Sequence, residues 1–380
     1  MINLHQWQRE TGSAEKHGMK ETEYLASLRN IMSAPPDSIQ QSIQLMLDRL
    51  RKHSDLPAVL DSLYRWELSA DYITREKLEG NEHLSFYDMD LEIEFRIQIN
   101  LSRSKYVPVP PTREDLHPLH CGLCRENIGR PGKENLRIYE LTLPKSGIDY
   151  FLQLTPFPLF PYHFVLILSD PKPMRVDGDS MGHMLEFLSL APGYTVCSNS
   201  DVEWAGASIL SHHHFQVFKG LTLPAMTAGS LRRFSGDSCS VDVLDYPLAA
   251  VRVRGADGEK VKRTASVIVR SWKALDPGRN TANLILSEEP GGFSFHLFLR
   301  NPDYRIPGKL VKFKQEGLGI IEAAGAGMLP LPSGTDCDSL LEEIRGNGKN
   351  IMLGMLSGIN PVRPKESLPE LVRKLLGGTV

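Results

Sequence analysis

Cysteine is scarce in this chain, with five residues in 380. That density does not support the disulfide framework of a small secreted domain. Long apolar runs are missing too, and no stretch approaches the roughly 20 residues a bilayer-spanning helix needs. The first 20 residues mix charge and polarity and lack the apolar segment of a secretory signal. The expectation is therefore a cytoplasmic chain. Nor is there an excess of one charge: Lys and Arg total 43 against 46 Asp and Glu, a formal net charge of −3. This removes any bulk electrostatic case for nucleic acid or an anionic membrane as partner. What remains is an ordinary globular composition, 41% hydrophobic and 23% charged. The length suffices for a large core and one or two domains.

One stretch organises the reading: Gly206-Ala207-Ser208-Ile209-Leu210-Ser211-His212-His213-His214-Phe215-Gln216-Val217-Phe218. Small residues lead into an apolar and aromatic run, the look of a loop entering a β-strand. Strand side chains alternate between faces, so His212, His214 and Gln216 share one face. Ser211, His213, Phe215 and Val217 share the other, which Phe215 and Val217 mark as the core side. Two imidazoles and a carboxamide on one face need a polar ligand, water or a metal to satisfy them. Imidazole is largely unprotonated near neutrality and can take a phosphorus centre and pass it on. The competing interpretation is a histidine-rich loop that packs or binds adventitious metal.

Gly206-Ala207-Ser208 followed by His212-x-His214-x-Gln216 resembles the His-x-His-x-Gln motif of the histidine-triad superfamily, in its transferase branch. That branch holds galactose-1-phosphate uridylyltransferase, GDP-hexose phosphorylases and dinucleoside polyphosphate phosphorylases. The resemblance implies that His214 becomes nucleotidylated, that Gln216 binds phosphoryl oxygens, and that His212 binds metal or positions the phosphate. It implies an α+β fold of histidine-triad-like antiparallel sheets with flanking helices, in two related halves, beside an N-terminal helical region. Residues 1–88 are read as that helical region, 89–222 as the catalytic half, 223–335 as a degenerate second half and 336–380 as C-terminal helices.

Along the chain, helices are expected near Glu21–Met32, Ser38–Lys52, where Ile39, Ile43, Met46, Leu47 and Leu50 recur at helical spacing, and Leu56–Leu68. A strand is expected between Met89 and Ser104, a hairpin from Leu136–Leu143 and Asp149–Leu154, and a buried strand over His163–Leu168. Met181–Leu190 reads as a helix crossing the sheet and Gly193–Cys197 as a strand. Thr264–Trp272 fits strand or helix equally. Thr281–Leu286 and Phe293–Leu299 read as paired strands. Leu340–Arg345, stopped by Gly346 and Gly348, and Leu368–Leu376 read as terminal helices.

Further site residues follow from the resemblance. Asn199, Gly206 and Ser208, with Asn100, Arg103 and Asn127, are the candidate nucleotide- and phosphate-binding residues. Asn283, His296 and Arg300 match the look of the second half, and Lys312 and Phe313 match weakly the segment that holds a hexose. Cys121-x-x-Cys124 can chelate a tetrahedral structural zinc. Ser169-Asp170-Pro171-Lys172 stands where metal-containing relatives carry a histidine ligand, which leaves His117, His120 or His163 as substitutes. The alternative is a pair of reduced, partly buried thiols.

The function so implied is that of a nucleotidyltransferase or phosphorylase acting on a nucleoside diphosphate-hexose, GDP-hexose before others because of the His-Phe-Gln form. It would release hexose 1-phosphate through a nucleotidyl-histidine. The partners are a nucleotide sugar and phosphate or a sugar 1-phosphate, with a homodimer as one assembly. Uridylyl exchange onto a hexose 1-phosphate, and nucleotide binding without catalysis, are the rival readings. Hydrolysis is disfavoured by Gln216, since hydrolase branches carry a third His there.

Overall fold

The computed structural model describes residues 36–74, 78–100, 121–156, 158–236, 239–314, 317–330 and 337–377. The expected helix at Glu21–Met32 lies outside them, as do Arg103, His117 and His120. Two helices come first, α1 (Pro36–His53) and α2 (Leu56–Ser69), the second started by Asp55, whose carboxylate accepts the Ala58 N–H at 3.0 Å. Strands β1 (Glu82–Asp88) and β2 (Ile93–Asn100) follow as an antiparallel pair.

The next block is β3 (Ile138–Thr142), β4 (Asp149–Leu154), β5 (His163–Leu168), α3 (Gly178–Leu190), β6 (Tyr194–Ser198) and β7 (His214–Lys219). After it come β8 (Ser230–Ser235), β9 (Ser240–Leu244), β10 (Ala250–Gly255), α4 (Gly258–Leu275), β11 (Thr281–Glu289) and β12 (Gly292–Arg300). Both blocks build one ten-stranded antiparallel sheet in the order β3-β4-β5-β7-β6-β11-β12-β10-β9-β8. The second block repeats the strand and helix order of the first. The two meet at the antiparallel β6–β11 pair, where Val196 opposes Leu286 and Ser198 opposes Leu284.

One face of this sheet carries α3 and α4. Val261, Ala265, Ile268, Val269 and Trp272 of α4 are buried at helical spacing, which settles the undecided Thr264–Trp272 stretch as helix. They pack with Met181, Met184, Leu185 and Leu188 of α3 onto Val196, Phe215, Val217, Leu284, Phe295 and Leu297. Phe215 and Val217 are therefore core, on the side the alternation assigns to them.

The opposite face is covered over the second half by α5 (Ile320–Ala323), β13 (Ala326–Pro330) and α6 (Cys337–Gly358), ahead of the terminal α7 (Leu368–Leu375). Strand β13 runs parallel to β2, so β1-β2-β13 form a separate three-stranded sheet. The N-terminal region thus contains strand β1 as well as helices, and β2 pairs outside the main sheet. The expected stop at Gly346 and Gly348 is corrected: α6 continues to Gly358 through a kink at Asn347. Burial of Ile351, Met352, Met355 and Leu356 beyond the kink offsets the weak helix propensity of the glycines. No helix among the described residues is long and apolar enough to cross a membrane.

Helix α1 closes the β3 edge. Gln40 exchanges two 3.0 Å hydrogen bonds with the backbone of Ile138, and Gln44 does the same with Glu140 at 3.0 and 2.9 Å. Two carboxamides one helical turn apart thereby stand in for the missing neighbour strand.

The second half holds a buried ionic cluster. Asp242 is fully buried and accepts from Arg233 at 2.6 Å and from Arg252 at 2.9 and 3.1 Å. Burial alone would raise its carboxyl, but those bonds and the charges of Arg252 and Arg254 outweigh it and hold it below the usual range. A carboxylate lowered in the folded state contributes stability above its unfolded pKa, and loses it as pH falls through the folded value. Asp242→Asn is expected to cost about 3 kcal/mol at pH 7 by leaving buried arginine unpaired. That gap should narrow below about pH 4, where the carboxylate of the unfolded chain protonates. Urea unfolding of both proteins at the two pH values checks it.

Candidate active site

Three segments meet around His214. The first is the start of β7, beside the end of β5: Ile167 opposes His214 and Val165 opposes Gln216. The second is the end of β6, where Cys197 opposes Gln216. Continuing that register by two residues brings Asn199 opposite His214 on the same face. The third is the loop Glu203–Ser208. Its Gly206 sits at φ +84° and passes so close to Gly319 that a Cβ there would lie 2.3 Å from that residue's backbone.

The His214 ring is mostly buried, and its Nδ1 bonds the backbone carbonyl of His212 at 2.8 Å. A carbonyl accepts only, so Nδ1 carries the proton and Nε2 keeps its lone pair. Burial, the largest influence, pulls the ring pKa below the ordinary histidine value, with the His212 carbonyl acting the other way. A neutral ring with a fixed tautomer and a free Nε2 is in nucleophilic form.

His212 has the opposite tautomer. Its Nε2 donates to the Leu168 carbonyl at 2.6 Å, which leaves Nδ1 as a ligand atom. Nδ1 lies 3.2 Å from Cys121 Sγ and 3.6 Å from Cys124 Sγ, and the two sulfurs are 3.4 Å apart. These three donors are the group among the described residues that could hold a metal ion. Tetrahedral zinc with sulfur near 2.3 Å and nitrogen near 2.0–2.1 Å needs donor separations of about 3.5–3.8 Å. The set is within a few tenths of that. The turn is shaped for it: Leu123 N–H points to Cys121 Sγ at 3.4 Å and Cys121 N–H to Cys124 Sγ at 3.1 Å. Burial raises the Cys121 thiol, but the contact with His212 and the Leu123 N–H overcome it and hold the thiol below its usual value. Burial pushes Cys124 up to about 11.

Other expected residues fall elsewhere. Asn127 donates to the Cys121 and Cys124 carbonyls at 2.8 and 2.9 Å, so it braces the cysteine turn. Asn199 Oδ1 accepts the Ile320 N–H at 2.9 Å, so its oxygen is committed to the start of α5. Ser208 is exposed and Gly206 half-buried on the loop. Asn100 ends β2 opposite Pro330, in the small sheet. Phe313 is 1% exposed in the second core, and the exposed Lys312 pairs with Glu343 of α6. His163 begins β5, five residues from the Leu168 carbonyl that His212 touches. At about 3.3 Å per strand residue that is roughly 16 Å, too far for a shared metal.

The second half reaches into this region. Arg300, fully buried, donates to Asn283 Oδ1 at 2.7 Å and to the Leu318 carbonyl at 2.9 Å, and lies 5.9 Å over the Trp204 ring. Asn283 donates to the Ala205 carbonyl at 3.3 Å. Together they tie the Glu203–Ser208 loop to the segment around Gly319. His296 is fully buried with neither ring nitrogen hydrogen-bonded, and burial pushes it down to about 3. Trp204 carries no spacing signal in the sequence and is found only by its contact with Arg300.

The family described as "Domain of unknown function (DUF4922)" matches residues 64–219, ending with β7. The galactose-1-phosphate uridylyltransferase of Bifidobacterium longum subsp. longum is 25% identical across 86% of this chain and 67% of its own length. That of Halalkalibacterium halodurans is 24% identical across 86% and 70%, and that of Bacillus subtilis 26% across 70% and 58%. The chain thus spans between 58% and 70% of the length of these three relatives. Among solved structures, yeast Ap4A phosphorylase Apa2 superposes with a TM-score of 0.52 at 14% identity, over 81% of this chain and 98% of that one. Its complex with Ap4A gives 0.50 at 12% identity, over 80% and 98%. The likeness to these structures is one of fold.

Proposed function

We propose that this chain is a nucleotidyltransferase similar to those of the transferase branch of the histidine-triad superfamily, and that it works through a covalent nucleotidyl-His214. The observation that carries the proposal is the 2.8 Å bond from His214 Nδ1 to the His212 carbonyl, which leaves Nε2 with a lone pair on the face shared with Gln216. Nε2 attacks the α-phosphorus of a nucleoside diphosphate-hexose and forms an N–P bond. The bond to the bridging oxygen breaks, and hexose 1-phosphate leaves with that oxygen. A phosphate oxygen of the acceptor then attacks phosphorus, the N–P bond breaks, and the neutral ring returns. Two displacements at one imidazole predict ping-pong kinetics. The Gln216 carboxamide and the backbone N–H groups of Ala207 and Ser208 stabilise charge on the non-bridging oxygens.

The finer proposal is phosphorolysis of a GDP-hexose. Uridylyl exchange is the rival that the names of the relatives favour. Intact-mass measurement after mixing with a panel of nucleotide sugars and no acceptor separates them. A gain of one GMP supports the first and a gain of one UMP the second. No gain with any donor, together with tight nucleotide binding that His214→Ala leaves unchanged, would sink the catalytic reading.

Cys121, Cys124 and His212 supply three of the four ligands that a structural zinc takes, and the ion would fix the turn and the His212 backbone. Through that backbone the carbonyl that sets the His214 tautomer is held in place. The protein is expected to carry close to one zinc per chain. Cys121→Ser with Cys124→Ser should lose it and melt several degrees lower, since metal binding energy is also folding energy. Metal analysis and a thermal melt check this. A protein that purifies without metal and melts unchanged in chelator overturns it.

A further inference from the structure

His163 opens β5 and lies diagonally across the β5–β7 pairing from Gln216, since His163 opposes Phe218 and Val165 opposes Gln216. Diagonal residues of paired strands share a face, and long side chains there reach one another. The His163 ring is 5% exposed and stacks on Phe218 at 4.3 Å, with 25° between planes. Its Nδ1 accepts the Leu159 backbone N–H at 3.2 Å. Burial keeps the ring neutral, pushing it down to about 3, so the single ring proton sits on Nε2.

That Nε2 is buried with no hydrogen bond closed, and so is Gln216 Oε1. Besides burial, the Gln216 side chain is the group that acts on the ring. A donor and an acceptor, each desolvated and each lacking a hydrogen-bond partner, lie on one face of adjacent strands. Turning the amide over would set its N–H groups against the imidazole N–H, which costs the desolvation of both donors. Which way a carboxamide points is settled by such a neighbour.

We propose that His163 is a positioning residue: its Nε2–H holds the Gln216 oxygen inward, so the Gln216 amide N–H groups are presented to the phosphoryl oxygens above His214. The inference rests on the nucleotidyl-transfer reading of that face. His163 makes no contact with substrate and acts through Gln216. A sequence search for triad residues passes over it, because 53 positions separate the two and only the strand pairing joins them.

His163→Phe keeps the stack on Phe218 and removes the donor, whereas His163→Gln returns an N–H near the position of Nε2. His163→Phe should slow adduct formation about 10²-fold, the loss expected for one oxyanion donor, as Gln216→Ala should. Donor KM should stay within about threefold, because the interaction belongs to the transition state. His163→Gln should recover most of the rate. The double variant His163→Phe with Gln216→Ala should be no slower than Gln216→Ala alone. Wild-type rates in His163→Phe, or losses that multiply in the double variant, overturn the inference. Nitrogen-15 shifts of the histidine rings read the same contact without turnover. A protonated Nε2 on His163 supports it, and an unprotonated Nε2 overturns it. If no donor forms an adduct while Nε2 is protonated, the transfer reading fails and the His163–Gln216 contact stands.

Discussion

His214→Ala is expected to abolish nucleotide transfer, with a loss on the order of 10⁴-fold or more, because the covalent route disappears with its nucleophile. No mass gain should appear with any donor. The fold should persist: His214 opens β7, and the core beneath that strand is built by Phe215 and Val217, both fully buried on the other face. Circular dichroism and melting close to wild type, together with retained nucleotide binding, separate loss of chemistry from loss of structure. A His214→Ala protein that still turns over at a tenth of the normal rate would remove the histidine from the mechanism.

Gly206→Ala should be the most damaging single methyl group in the site. The left-handed backbone at φ +84° costs an alanine about 1–2 kcal/mol by itself. The new Cβ would also lie 2.3 Å from Gly319 Cα and N and 2.6 Å from the Leu318 carbonyl carbon. Those are backbone atoms held by their own bonds, Gly319 N–H to Glu322 and the Leu318 carbonyl to Arg300. Neither can step aside cheaply, and forced shifts of this kind add about 1–3 kcal/mol. The loop that leads to His212 should be displaced, so melting temperature and transfer rate fall together. Gly193→Ala is the control, since its φ is +78° with nothing within 4 Å of the added Cβ. It should show the backbone cost and leave activity intact. Equal losses in the two variants would mean that the crossing at Gly319 is not a tight one.

The strand carrying the motif was legible because its alternation is strict. Phe215 and Val217 declare a core face, and His214 and Gln216 must then share the other. The helices were legible from apolar spacing, as in Ile43, Met46, Leu47 and Leu50 of α1. The strands β8, β9, β10 and β13 were not. Polar or charged residues such as Arg232, Arg233, Asp242 and Arg252 interrupt the apolar pattern of the first three, and β13 pairs with β2, far away in sequence. The end of α6 was misread because a glycine signal is local, while the burial that overrides it comes from the second core.

Side-chain roles divided along the same line. Cys121, Cys124 and His212 converge as metal-site reasoning expects. Asn127 spends its amide nitrogen on the cysteine turn, and Phe313 packs in the second core. A motif records which residue types occur at which intervals. It does not record which hydrogen bond each one has already spent.

The sequence alone determined the face of β7 that His214 and Gln216 share and the close approach of Cys121 and Cys124, because each depends on residues a few positions apart whose geometry strand and turn periodicity fix. Tertiary structure decided the tautomer of His212, the bracing of the Glu203–Ser208 loop by Gly319 and Arg300, and the placing of His163 and Gln216 on one face of adjacent strands. Those depend on contacts between segments distant in sequence, and local periodicity carries no information about such contacts.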